Sequence, residues 1–341
     1  MIADNPQTRR RPTIVDVASV AGVSRGTVSR VINGGRWVSP ESRHAVEKAI
    51  RATGYRTNAH ARSLVTGRSN TLAFLLTEAP HFRFQDPNMG LLIQGASEGA
   101  DSHDVAVVLL LARTSADRQR VIGYIQQGHV DGVMLTGGIG AIPMIDELLR
   151  HNIPTVISGP PRGYENLVPY VSTDERDAGK RATAHLMSLG RHTIATITGP
   201  LDTNEGVLRF EGYREALGDD FDDRLVAHGM WGSGTDSGYQ AMRELLALRP
   251  DIDAVFAQSD GLAAGTMAAL KEAGRRIPQD VAVCGFDDSG FAATLDPPLT
   301  SMHMPFDQIG AEMVRIVLAS IDNQSPASIA FRSPLVQRSS A

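Results

Sequence analysis

From Asn70 onward, apolar runs of strand length alternate with stretches of helical periodicity. The strands read as residues 72–76, 105–111, 132–135, 155–158, 193–198, 225–228, 254–257 and 281–286. The helical stretches include 89–102, 115–127, 174–189, 205–217, 236–248 and 260–273. Such alternation predicts parallel sheets with helices on both faces. The runs form two comparable sets, before and after about residue 162, which predicts two Rossmann-like lobes. A cleft is expected between them, at the carboxyl ends of the strands. Segments from Ser301 to Gln308 onward are expected to cross back to the first lobe.

The pattern before residue 58 differs. Thr13 can cap a helix, with Asp16 in its first turn, and Val17, Ala18, Val20 and Ala21 place small apolar groups on one face. Gly22 breaks that helix. Ser24 caps a second, whose Val28, Val31 and Ile32 face inward, and Asn33, Gly34 and Gly35 end it. Ala18, Gly22 and Val28 supply what a helix-turn-helix needs: a close approach, a turn and an apolar lock. Ser39 and Pro40 then open a third helix through Ala45, Val46, Ala49 and Ile50, ended by Gly54. The outer face of the second helix carries Ser24, Arg25, Thr27, Ser29 and Arg30, which suit phosphates and base edges.

Charge sharpens this division. Residues 1–68 hold 12 Lys and Arg against 4 Asp and Glu, a balance of +8. The remainder holds 21 against 34, a balance of −13, giving −5 for the 341 residues. A basic head on an acidic body points to a polyanionic partner for the head alone. A lone cysteine, Cys284, excludes an internal disulfide and fits a reducing compartment. Residues 1–12 are polar, with Arg9, Arg10 and Arg11, and no apolar run follows. This predicts no export signal, no membrane span and a cytoplasmic protein.

The stretch from Thr13 to Leu64 resembles the head and hinge of the lactose-repressor (LacI/GalR) family of transcriptional regulators. That resemblance implies a helix-turn-helix head over residues 1–57, a hinge over 58–69 and an effector-binding, dimerising core over 70–341. Arg25, Gly26 and Arg30 stand at positions facing bases in the major groove. Gly26 lacks the long polar side chain of some relatives, so base reading there falls to Arg25. Thr27, Ser29, Asn33 and Tyr55 match positions used for phosphates or packing, and Thr13, Ser24, Asn58 and Ala61 join the DNA-facing set. In the family the hinge becomes a helix on operator DNA and pairs with its copy in the minor groove. Leu64 matches the leucine that wedges between base pairs, with Arg62 beside it.

The resemblance extends to about Val336, through HVDGVML, VSTDERDAG, RFEGYREAL, AVFAQSDGLAAGTMAAL and IPQDVAVCGFDDS among others. It implies a periplasmic-binding-protein-like core. Arg209 matches a pocket arginine whose fork can hold two sugar hydroxyls. Asp287 matches a hydroxyl acceptor, and Ser259 and Asp260 match a usual Asn-Asp pair, with Ser259 a shortening departure. Phe306 matches an aromatic wall; Asp86, Asn88 and Thr136 occupy cleft loops of the first lobe. Each has an ordinary alternative: a surface arginine, helix-capping aspartates, a core phenylalanine. Gly159 and Met304 stand where relatives place polar contacts, so the pocket is not that of the lactose repressor itself. The ligand expected is a mono- or oligosaccharide, polyol or sugar acid, and the stacking of the purine-binding branch is not located.

Other classes fit less well. Gly232–Gly238 and Thr136–Gly140 lack the G-x-G-x-x-G spacing of a nucleotide site. The ten histidines show no metal-ligand spacing, so no cofactor and no enzyme are expected. A transport binding protein would share the core but not the basic head. The expected assembly is a homodimer on a palindromic operator, controlled by a small effector, without a tetramerising heptad tail.

Overall fold

A computed structural model of the chain describes residues 12–32, 37–55, 67–77, 86–137, 139–231 and 234–341. The chain divides into two compact units, Met1–Ser69 and Asn70–Ala341. Asn33, Asn58, Ala61, Arg62 and Leu64 lie outside the described residues.

The first unit holds helices α1 (Ile14–Ala21), α2 (Arg25–Ile32) and α3 (Pro40–Thr53). Asp16 accepts hydrogen bonds from the Thr13 backbone N–H at 2.6 Å and hydroxyl at 2.7 Å, fixing the first turn of α1. Gly22 ends α1 at φ +66°, a left-handed conformation that suits glycine. The Thr27 N–H donates to Ser24 Oγ and the Ser42 N–H to Ser39 Oγ, so both serines act as caps. Val17, Ala18, Val28, Val31, Val46 and Ala49 form the core, with Ile32 and Tyr55 packed against it. Val20 departs from expectation. It is 59% exposed, because the buried face of this short helix is narrower than its apolar composition.

The second unit is built on two six-stranded sheets of matching order. The first runs β2 (Ala106–Leu111), β1 (Thr71–Leu76), β3 (Gly132–Thr136), β4 (Thr155–Ser158), β5 (Tyr170–Thr173) and β11 (Ile329–Phe331). All its pairings are parallel. Helices α4 (Pro87–Asp101), α5 (Ser115–Gln126) and α6 (Ile142–Arg150) connect its early strands. The second runs β7 (Val226–His228), β6 (Ile194–Thr198), β8 (Ala254–Ala257), β9 (Ala282–Asp287), β10 (Thr300–His303) and β12 (Leu335–Val336). Its helices are α7 (Glu175–Ser188), α8 (Asn204–Leu217), α9 (Gly234–Leu248) and α10 (Asp260–Glu272). Strands β1, β3, β6 and β8 are almost wholly buried, as sheets covered on both faces require.

The lobe boundary is not near residue 162: Ile157 pairs with Tyr170, so β5 still belongs to the first sheet and the chain crosses after it. Ser301 does not begin the return: Ser301 pairs with Gly285, and the chain crosses only after β10, before α11 (Phe306–Ile321). Finally, β12 runs antiparallel to β10, because the tail comes back to the second sheet after completing the first. Strands β5 and β10 escape a hydrophobic scan because they bury polar residues: Ser172 and Thr173, Thr300 and Ser301.

The helix pairs α4–α11, α7–α8 and α9–α10 cross at reciprocal glycines: Gly95 with Gly310, Gly179 with Gly212, and Gly238 with Gly265. A Cβ at any of the six would overlap the facing backbone, so the helix axes approach closely. No described helix is long and apolar enough to cross a membrane.

Candidate functional sites

In the first unit, Ser24, Arg25, Gly26 and Arg30 are exposed along α2, with Thr27 and Ser29 half-buried beside them. Thr13 is half-buried at the start of α1, and Tyr55 packs on the head core. A Cβ at Gly26 would meet only side-chain atoms of Arg30 and Ser24, at 3.7 Å. Packing therefore does not demand the glycine, which leaves the surface beside Arg25 open. α2 presents two arginines and two hydroxyl side chains, with the hydroxyl of its cap Ser24 beside them, a face able to lie in a major groove.

In the second unit, a cavity of about 470 Å³ opens at the carboxyl ends of strands of both sheets. This is where the chain order of such sheets places a ligand, and the volume falls in the range of about 300–1,000 Å³ usual for small molecules. Asp86, Asn88, Thr136, Arg209, Ser259, Asp287 and Phe306 all line it. Asp260 does not. It is fully buried behind the wall, where Oδ2 accepts from the Ser289 N–H and Oδ1 from the Ser301 hydroxyl, both at 2.6 Å.

Arg209 is 4% exposed and firmly held. Its Nε donates to Glu175 Oε2 and its Nη1 to the Gln258 carbonyl, each at 2.6 Å, while Nη2 contacts Met304 Sδ at 3.4 Å. Asp287 Oδ1 lies 3.7 Å from Nη1. The guanidinium carbon sits 3.5 Å from the Phe286 ring centre and 5.6 Å from that of Trp231. Glu175 is itself fixed by the Thr173 hydroxyl, which donates to Oε1 at 2.8 Å. With five N–H groups on an arginine, these bonds leave one on each terminal nitrogen for a ligand. Arg209 is thus first a cross-brace of the second lobe and only then a ligand contact.

Asp287 and Asp288 adopt positive φ angles of +102° and +54° at the end of β9. Non-glycine residues there carry backbone strain, common at functional sites. Arg338 Nη2 and His303 Nδ1 grip the Asp288 carboxylate at 2.7 and 3.1 Å and hold the turn. Burial pushes the Asp287 carboxyl well above the usual carboxylate range, against the pull of Arg209. Burial likewise raises Asp260, to about 6, against the two hydrogen bonds that favour its ionised form.

The first-lobe wall has other resources. Asp86 caps α4, its Oδ1 accepting from the Asn88 N–H at 2.9 Å. Asn88 Oδ1 and Thr136 Oγ1 are buried with no hydrogen-bond partner among the described residues. Ser259 caps α10 through the Leu262 N–H while also lining the cavity. Phe306 packs against the core and also faces the cavity.

Sequence reading missed Glu175, Glu205, Trp231, Asp236 and Phe291, which also line the cavity. Glu175 follows β5, the strand that the hydrophobic pattern hides. Glu205 precedes Arg209 by four residues on one helix, hence on the same face, a signal that was available. Trp231 follows β7, at the strand end where a ligand is expected, and a Cβ at Gly199 would overlap its ring, so the indole lies against that backbone. Among the described lining residues, five carboxylates (Asp86, Glu175, Glu205, Asp236 and Asp287) face one cation, Arg209. No described cluster of His, Cys, Asp and Glu could hold a metal ion.

A helix-turn-helix unit together with a two-lobed, ligand-sized cleft defines a ligand-responsive DNA-binding regulator. Comparison with known proteins gives the family. Residues 13–58 match the lacI family of bacterial regulatory proteins, and residues 183–341 a periplasmic binding protein-like domain. The chain is 41% identical over 340 residues to the HTH-type transcriptional regulator CelR of Thermobifida fusca, covering 98% of this chain and 99% of that protein. It is 35% identical over 320 residues to the ribose operon repressor of Escherichia coli, covering 91% and 93% respectively. Among solved structures, a CelR–cellobiose complex matches at TM-score 0.75 with 39% identity, covering 97% of this chain and 100% of that one. The lac repressor dimer bound to operator and the anti-inducer ONPF matches at TM-score 0.83 with 25% identity, covering 97% and 99%. The chain belongs to the LacI family and is a sequence-specific DNA-binding transcriptional regulator.

Proposed function

We propose that the chain is a homodimeric repressor whose operator affinity is set by an uncharged sugar of about disaccharide size. The cavity carries this reading. Its acidic lining, with Arg209 already paired to Glu175, disfavours sugar acids and phosphates but suits hydroxyl donors. Trp231, Phe291 and Phe306 offer flat apolar surfaces for sugar rings, and Asn88 and Thr136 hold buried polar atoms without partners among the described residues. The solved relative that contains cellobiose, and the 41% identity to CelR, favour a β-linked glucose disaccharide.

On the DNA side, Arg25 and Arg30 read bases, while Ser24, Thr27, Ser29 and Tyr55 set the position of the head. Asn33, Asn58, Ala61, Arg62 and Leu64 complete the DNA-facing set, with Leu64 as the minor-groove wedge. Leu91, Leu109 and Leu111, 43%, 44% and 41% exposed on α4 and on edge strand β2 of the first lobe, offer an apolar surface for a second copy. Membership of the family supports regulation rather than turnover, in the cytoplasm and without a cofactor.

Fluorescence anisotropy with a labelled palindromic operator tests this reading, at about 50 and 200 mM salt to separate charge attraction from sequence reading. Cellobiose should shift operator affinity, whereas gluconate and glucose 6-phosphate should not. Equal binding to operator and scrambled DNA at both salt concentrations would refute the DNA function. A response to the anionic sugars alone would refute the ligand class. Hydrolysis of cellobiose by the pure protein would overturn the assignment as a non-enzyme.

A further inference from the structure

We infer that Gln258 is the positioning residue of the second-lobe wall: its side-chain amide takes over a rung of the sheet, which frees its main-chain carbonyl to hold Arg209. The inference rests on the sugar reading of the cavity and deepens it. Gln258 is not among the residues that line the cavity. It stands directly after β8 and directly before Ser259, the cap of α10, and is fully buried.

The register of the sheet shows what the side chain replaces. Strands β6 and β8 pair in parallel as far as Ile197 and Ala257, and the Gln258 N–H donates to the Ile197 carbonyl at 3.0 Å. Continued by one rung, that ladder would send the Gly199 N–H to the Gln258 carbonyl. The N–H goes instead to the side chain, donating to Oε1 at 2.9 Å. The main-chain oxygen receives Arg209 Nη1 at 2.6 Å. One residue thus fastens two parts of the wall. Gly199 is the backbone on which the Trp231 indole lies, since a Cβ there would overlap the ring. The Arg209 guanidinium carbon sits 5.6 Å from the centre of that same ring. Fork and indole, the groups suited to the hydroxyls and the apolar face of a sugar, are therefore spaced through Gln258. Its Nε2 is buried with no hydrogen-bond partner among the described residues. An unpaired buried donor is a cost that an apolar side chain of the same length would avoid. The oxygen is thus the working atom of this amide.

Variants of the full-length protein test the assignment, each in a Trp37→Phe parent that leaves Trp231 as its one tryptophan. The readouts are titration calorimetry with cellobiose and the emission of Trp231. Gln258→Met keeps length but loses the acceptor. It should weaken cellobiose binding about tenfold or more and shift Trp231 emission in the sugar-free protein. Gln258→Glu keeps an acceptor oxygen and gives up only the unpaired amide nitrogen. It should keep the parent emission and bind cellobiose within about threefold of the parent. Gln258→Asn falls a methylene short of Gly199 and should behave as the Met protein does, which keeps the test open if that one fails to fold. A merely structural role would lower the unfolding temperature without moving affinity or emission. Parent-like affinity and emission in the Met and Asn proteins, or equal losses in the Glu and Met proteins, would overturn the assignment and leave the sugar reading intact. If the parent binds none of cellobiose, maltose and glucose, the sugar reading falls. The emission arm needs no sugar and still decides whether Gln258 holds Trp231.

Discussion

Arg209 shows how one side chain can be structural and functional at once. Sequence reading treats it as a fork for sugar hydroxyls whose loss should silence the effector response and spare DNA binding. In the structure it also neutralises Glu175 and lies beside Asp287, both at the cavity wall. Breaking a buried ion pair from one side strands the other charge, at a cost of about 3–5 kcal/mol. Arg209→Ala should therefore lower the urea midpoint of the whole protein as well as abolish the sugar response; an unchanged midpoint would show that the brace carries no energy. Asp260 makes a second residue-scale case. Its carboxyl is raised from 3.8 to about 6 by burial. The unfolded chain holds the ionised form more readily, so the stabilising contribution of the protonated group is full below about pH 4 and is lost as pH rises through about 6. Asp260→Asn should flatten that part of the stability profile, and identical pH slopes in thermal unfolding of the two proteins would dismiss it.

At the scale of elements, glycines govern how helices meet. Gly95 on α4 has the Asp307 backbone of α11 against it, with no room for a methyl group. This pair joins an early helix of the first lobe to the segment that returns from the second, so it clamps the crossover. Overpacking a tight contact typically costs about 1–3 kcal/mol. Gly95→Ala should lower core stability by that amount in thermal unfolding, and Gly90→Ala, on the same helix but in open space, should not. Equal effects would assign the loss to helix geometry rather than to the crossing.

For the molecule as a whole, linkage sets a strict condition. If sugar changes operator affinity by some factor, operator must change sugar affinity by the same factor. Measuring cellobiose affinity with and without saturating operator should return the factor found in the reverse titration. A mismatch beyond error would mean that a further state or partner takes part. The charge division supports the same scheme: the balance of +8 over residues 1–68 draws the head to DNA, while the −13 of the remainder keeps the sensor from adding nonspecific attraction.

The sequence by itself determined the parts. Period and caps specified the three head helices, because Thr13, Gly22, Ser39 and Gly54 act through bonds within a few residues of themselves. Apolar runs marked the buried strands, and seven of the eight residues proposed for the cavity do line it. What the linear pattern could not carry was any contact made between distant segments. Polar strands β5 and β10 are strands because neighbouring strands complete their ladders, so the lobe boundary and the return path were misplaced. Asp260 is 29 and 41 residues from the serines that occupy its carboxylate behind the wall. Gln258 is 59 and 49 residues from the Gly199 and Arg209 that it holds, and only tertiary structure brings them together.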